Sequence, residues 1–205
     1  MSKTLTAWLG LALAAAGTLP ATASDRTIIF LHNAWYEGHK AGEPHPKFGA
    51  YDLAGITAAL AEGGAVEAPV RGPDADPSEA ADALTARIRE AIADGQDPDK
   101  ITVIGASKGA FIAQLASARL GEPAVSWVLV GGCHTARMEA GAPPAMTGRV
   151  LSIYEASDRI AGACAPHGAL YANAQAFEEQ ETKTGLDHGF QFVADPVWIT
   201  PALAW

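Results

Sequence analysis

Three residues in this chain are of the right types and in the right order for acyl transfer on a serine hydroxyl. Ser107 stands in Gly105-Ala106-Ser107-Lys108-Gly109, a G-x-S-x-G pattern between the apolar run Ile101 to Ile104 and the helical pattern of Phe111 to Leu120. In that setting the pattern describes a sharp strand-to-helix turn that lifts the serine hydroxyl above a sheet end, with room only for Gly on either side. A serine hydroxyl is a weak nucleophile until a base takes its proton and an acid orients that base. Asp158 and His188 follow in the chain order Ser, Asp, His that this elbow requires. Alone, Asp158 can cap a turn and His188 can be an ordinary loop histidine. As an ordered trio they are expected to form a catalytic triad with Ser107.

The same chemistry needs donors for the oxyanion that develops as the carbonyl is attacked. One is expected to be the backbone N–H of Lys108, and the second that of Ala34, or of its neighbour Trp35, in the loop after the first strand. His32, Asn33 and Trp35 are expected at the substrate pocket, with a structural hydrogen bond at the strand end as the other role for His32. Lys108 reads either as an attractor of acidic substrates or as a surface cation.

The elements that must position these residues follow from pattern. Arg26 to Leu31, Ala65 to Val70, Lys100 to Gly105, Val125 to Val130 and Arg149 to Glu155 read as strands, and Phe177 to Thr182 as an edge strand. Helical spacing marks Leu53 to Leu60 behind an Asp52 N-cap, Ser78 to Ala93, and Gly109 to Leu120. Pro196 to Trp205 reads as a closing helix, Pro166 to Ala176 as a further helix, and His134 to Gly148 as a loop with one helical turn near Arg137. Strands alternating with helices predict an α/β domain, a doubly wound, mainly parallel sheet of about six to seven strands with helices on both faces. Ligands of such sheets bind outside the carboxyl ends of the strands, where Ser107, Asp158 and His188 all fall.

Lys3, the apolar run Ala7 to Leu19 and Ala21-Thr22-Ala23 have the three parts of a secretory signal peptide. Residues 1–23 are therefore expected to be removed and 24–205 to form one domain, periplasmic or secreted. The apolar core falls well short of the roughly 20 residues that a span needs, so no stable membrane span is expected after cleavage. A formal charge of −9 without a Lys/Arg cluster excludes the basic footprint of nucleic-acid binding. A small-molecule ester is the expected partner. His39, Glu43 and His45 lack the spacing of a metal motif and read as a solvated loop; no metal or cofactor is expected. The two cysteines, Cys133 and Cys164, permit one disulfide or two buried thiols.

Taken together, the chain resembles the α/β-hydrolase superfamily in a short form similar to dienelactone-hydrolase-like and small esterase members. Phe30-Leu31-His32, the Ser107 pentapeptide, Asp158 and Asp187-His188-Gly189-Phe190 carry the resemblance, which runs from Arg26 to Trp205. It implies the α/β-hydrolase fold in minimal form. It also sets the strands before Cys133 and Cys164 side by side, so that a bridge near the Asp158 loop is expected. The sequence departs from the family where His32-Asn33 replaces the usual His-Gly. No long insertion supplies a lid, so an open site is expected, with Trp35 to Tyr51 as its only cover. The function implied is an exported serine hydrolase of small or exposed carboxylic esters. A non-catalytic binding protein on the same fold, and an acyltransferase or thioesterase using the same trio, are the alternatives.

Overall fold

Side-chain alternation along the strands decides the layers. In β1 (Thr27–Leu31), Ile28 and Phe30 turn to one face and Ile29 and Leu31 to the other, and each pair joins a separate buried cluster. A computed structural model describes residues 25–141 and 143–205; the expected signal peptide lies outside the described residues. The other strands of the central sheet are β2 (Ala65–Glu67), β3 (Ile101–Ala106), β4 (Ser126–Val130), β5 (Thr147–Glu155) and β6 (Asn173–Thr182). They form one six-stranded sheet in the order β6-β5-β4-β3-β1-β2, and every pairing is parallel.

The helices are α1 (Trp35–Gly38), α2 (Leu53–Leu60), α3 (Pro77–Ala93), α4 (Lys108–Leu120), α5 (Thr135–Ala140) and α6 (Pro196–Ala204). Leu84 and Ile88 of α3 and Ile112 of α4 cover one face of the sheet; Ile56 and Leu60 of α2 and Trp198 of α6 cover the other. Asp52 caps α2 by accepting from Gly55 N at 2.9 Å, and Asp76 caps α3 through Ser78 N and Glu79 N. The strand order reverses between β1 and β3, so the loops leaving them diverge and open a crevice. The loop after β1 carries Asn33 and Ala34, and the one after β3 carries Ser107.

Two expectations are corrected. The second strand ends at Glu67 rather than Val70, since it lies at the sheet edge and Pro69 has no N–H for a ladder. The helix expected over 166–176 is absent: a single 3-10 turn spans Gly168–Tyr171 and β6 already begins at Asn173. Ala174 and Ala176 enter a ladder with β5, and Tyr171 stacks on Phe177 at 3.7 Å, so non-local pairing overrides local helical preference. No helix among the described residues is long and apolar enough to cross a membrane.

Candidate active site

The elbow is set by backbone contact. Ser107 adopts φ 53°, ψ −112°, a region costly for a residue with a Cβ, while its N–H donates to Val130 O of β4 at 2.9 Å. A Cβ at Gly109 would stand 2.1 Å from Leu31 O, and one at Gly105 2.5 Å from Gly109 O. The first turn of α4 thus lies directly on the ends of β1 and β3, which is why both flanking positions are Gly.

The trio expected from the sequence meets here. Ser107 Oγ lies 2.8 Å from His188 Nε2, and His188 Nδ1 lies 2.6 Å from Asp158 Oδ2. The Asp158 side chain is fully buried, and its Oδ1 accepts from Ile160 N at 2.7 Å and Ala161 N at 3.0 Å. A carboxylate facing Nδ1 can only accept, so Nδ1 carries the proton and Nε2 is free to accept from the Ser107 hydroxyl. Gln191, which sequence reasoning passed over, is also buried, with its Nε2 3.0 Å from His188 Nε2.

Beside the elbow, the N–H groups of Lys108 and Ala34 have no acceptor among the described residues. The Asn that departs from the family pattern has a local structural role, for Asn33 Oδ1 accepts from Tyr36 N at 3.2 Å and holds the short turn of α1. Behind it lies a buried charge cluster that no sequence signal suggested. Glu37 accepts from Arg71 Nε at 2.9 Å and from Lys108 Nζ at 2.5 Å, and Lys108 Nζ also reaches Ala75 O. Lys108 is therefore engaged inward, neither a free surface cation nor a lure for acids.

His32 does not line the pocket, correcting that expectation. It is 1% exposed; its Nε2 accepts from Arg71 N at 2.9 Å, its Nδ1 donates to Asn33 O at 2.9 Å, and Arg71 Nη2 donates to His32 O. Burial, then the neighbouring Arg71 charge, lower its pKa from 6.5 to about 4, so the ring is neutral in its structural role.

Asp158 and His188 are brought into register by a second buried carboxylate. Glu155, at the end of β5, accepts six hydrogen bonds: from Ser157 N and Oγ, Thr182 Oγ1, Thr184 N and Oγ1, and Gly185 N. Ser157 Oγ in turn accepts from Asp187 N. Burial pushes the Glu155 carboxyl up, but these bonds outweigh it and bring its pKa down from 4.5 to about 2. Asp187, φ 55°, is likewise held at about 2, first by Lys47 at 2.5 Å and then, against burial, by the N–H groups of Arg159 and His188.

These shifts give acid stability a definite form. As pH falls from 6.5 towards about 4, the unfolded chain takes up a proton at His32 that the folded chain refuses, and stability declines. A second decline begins below 4.5, where Glu155 protonates in the unfolded chain but stays charged in the folded one until about 2. Urea midpoints followed against pH should show both, with the upper one flattened in His32→Gln. Midpoints that stay level down to the His32 value contradict this account.

A cavity of about 470 Å³ opens over Ser107, and Asn33, Ala34 and Trp35 line it. The segment from Trp35 to Tyr51 supplies one wall. Trp35 stacks on His39 at 3.3 Å, His45 stacks on Phe48 at 4.4 Å, and Phe48 packs against Phe192. The His39 and His45 ring nitrogens bond Trp35 O and Phe48 N within this segment. Among the described residues, no group of three or more His, Cys, Asp or Glu is arranged to hold a metal ion.

The opposite wall is the chain after β4, where Cys133 is disulfide-bonded to Cys164 with their Cα atoms 5.3 Å apart. Cys133–His134 pairs antiparallel with Ala161–Gly162 just past Asp158.

Solved structures place this architecture. SOBER1 of Arabidopsis thaliana is 18% identical, with TM-score 0.54 over 87% of this chain and 99% of its own. The esterase domain of a Rhodothermus marinus protein is 15% identical, with TM-score 0.52 over 90% of this chain and 88% of its own. The chain has the α/β-hydrolase fold. An α/β serine hydrolase homologue from Coxiella burnetii is 15% identical, with TM-score 0.54 over 90% of this chain and 83% of its own. No protein-family model and no curated protein matches the sequence.

Proposed function

We propose that this α/β-hydrolase-fold chain is an exported serine hydrolase that cleaves carboxylic esters through an acyl-enzyme. The observation that carries the reading is the unbroken relay from Ser107 Oγ to His188 Nε2 and from His188 Nδ1 to Asp158. Ser107 Oγ attacks the ester carbonyl while its proton passes to His188 Nε2, and Asp158 stabilises the imidazolium that results. The oxyanion is received by the N–H groups of Lys108 and Ala34. Behind them, Arg71 and Lys108 set two cations against the single anion Glu37, a buried positive excess favouring negative charge on the carbonyl oxygen. His188 then returns the proton to the departing alcohol, and a water activated by the same base releases the acid.

The single domain over 24–205 and its export rest on the leader pattern of residues 1–23, and the Cys133–Cys164 bond suits an oxidising compartment. Asn33 holds the α1 turn through Tyr36 N, which supports the catalytic reading over a binding protein on the same fold.

Fluorophosphonate labelling and turnover of short-chain p-nitrophenyl esters, with Ser107→Ala beside the native chain, test this. Both signals are expected in the native protein and neither in Ser107→Ala. Labelling or turnover that does not depend on Ser107 refutes the assignment.

A further inference from the structure

We propose that the cavity selects esters bearing an anionic group and that Arg137 receives that group. This rests on the hydrolase reading above and names its substrate class. The chain carries 23 acidic against 14 basic residues, yet among the described residues the cavity wall contains no Asp or Glu. A cavity free of acids inside an acidic protein is a local inversion of charge. It also reverses what the net charge suggests, a neutral ligand.

Of the two cations in the wall, Lys108 turns its ammonium inward to Glu37, which it shares with Arg71, and to Ala75 O. Arg137 has no side-chain carboxylate partner among the described residues; Arg89, Arg149 and Arg159 share that lack, but only Arg137 of these lines the cavity. Its guanidinium lies over the Phe111 ring at 3.7 Å. A cation stacked on an aromatic face keeps its donor edges free, and those edges match the two oxygens of a carboxylate or the oxygens of a phosphate or sulfate.

Position completes the argument. Phe111 N donates to Ser107 O at 3.1 Å, so the platform sits one helical turn from the nucleophile, a rise of about 6 Å. An anion on Arg137 therefore belongs to the same molecule as the carbonyl at Ser107, several bonds away from it. Asp158 does not pair with Arg137, because both of its oxygens are taken by His188 Nδ1 and by the N–H groups of Ile160 and Ala161. Arg137 is on this view a specificity-determining residue that touches no reacting atom.

The test compares ester pairs of like size that differ in charge. Mono-p-nitrophenyl adipate against p-nitrophenyl hexanoate puts the anion on the acyl side; 4-acetoxybenzoate against phenyl acetate puts it on the alcohol side. In the native chain, kcat/KM is expected to be about tenfold higher for the anionic member of at least one pair, and the pair that responds identifies the side. The preference should shrink with added salt. Arg137→Gln should abolish it, the rate ratio within the responding pair falling to about one, and Arg137→Glu should invert it. Equal rates within both pairs, or a preference that survives Arg137→Gln, overturn the proposal while the hydrolase reading stands. Absence of Ser107-dependent turnover on all four esters overturns both.

Discussion

Asp158→Asn is expected to lower kcat about ten-thousandfold and leave the fold intact. The size follows from how the carboxylate is held. Its Oδ1 accepts from two backbone N–H groups, those of Ile160 and Ala161, and only an oxygen can stay there. In the variant the amide oxygen therefore keeps that place, and the amide nitrogen faces His188 Nδ1 where Oδ2 stands, 2.6 Å away. An N–H donor there obliges Nδ1 to accept, which moves the ring proton to Nε2. His188 then cannot take the proton of Ser107, although every heavy atom is in place. Turnover of a p-nitrophenyl ester, normalised to folded protein by circular dichroism, is the measurement. A loss below tenfold contradicts the relay.

Glu155→Ala should be the most damaging substitution outside the triad, costing about 3 kcal/mol or more and roughly 6–12 °C in Tm. Glu155 is 1% exposed and its carboxylate satisfies six donors; among the described residues Thr182 Oγ1 alone of these has a second acceptor, Tyr154 O at 3.1 Å. Activity should fall with stability, because the same bonds tie the turn holding Asp158 to the segment that leads to His188. Glu155→Gln keeps one oxygen acceptor and is expected to fall between the two. Thermal melts of the three proteins, with kcat measured well below their transitions, decide the matter. A Glu155→Ala protein that melts within 2 °C of the native chain (about 0.5–1 kcal/mol) would falsify it.

What is legible in the sequence is what chemistry imposes locally. Gly105 and Gly109 flank Ser107 because a helix turn touches two strand ends, and that contact leaves a five-residue signature. Asp158 and His188 stand out because each follows a strand and the chain order is fixed. Strand alternation likewise announces both faces of the sheet. The charge cluster is not legible: Glu37 meets Arg71 and Lys108 across 34 and 71 positions, and no local pattern links them. Glu155 reads simply as the last residue of a strand, since four of its six hydrogen bonds come from the next strand and the loop beyond it. Position at a strand end leaves His32 two roles, a pocket wall or a structural hydrogen bond, and the fold takes the second, turning its ring inward to Arg71. The run from Pro166 to Ala176 misleads for a related reason, its alanines favouring a helix until pairing with β5 claims them.

The bond between Cys133 and Cys164 has a topological consequence. It closes a covalent ring on residues 31 positions apart, and Asp158 and Arg137 lie on that ring while Ser107 and His188 lie outside it. Asp158 and Arg137 therefore belong to one cyclised segment, Ser107 and His188 to the chain on either side. A break in the backbone anywhere within the ring leaves all four residues in a single covalent molecule. A protease that cuts a loop between Cys133 and Cys164 thus leaves the two fragments joined through sulfur.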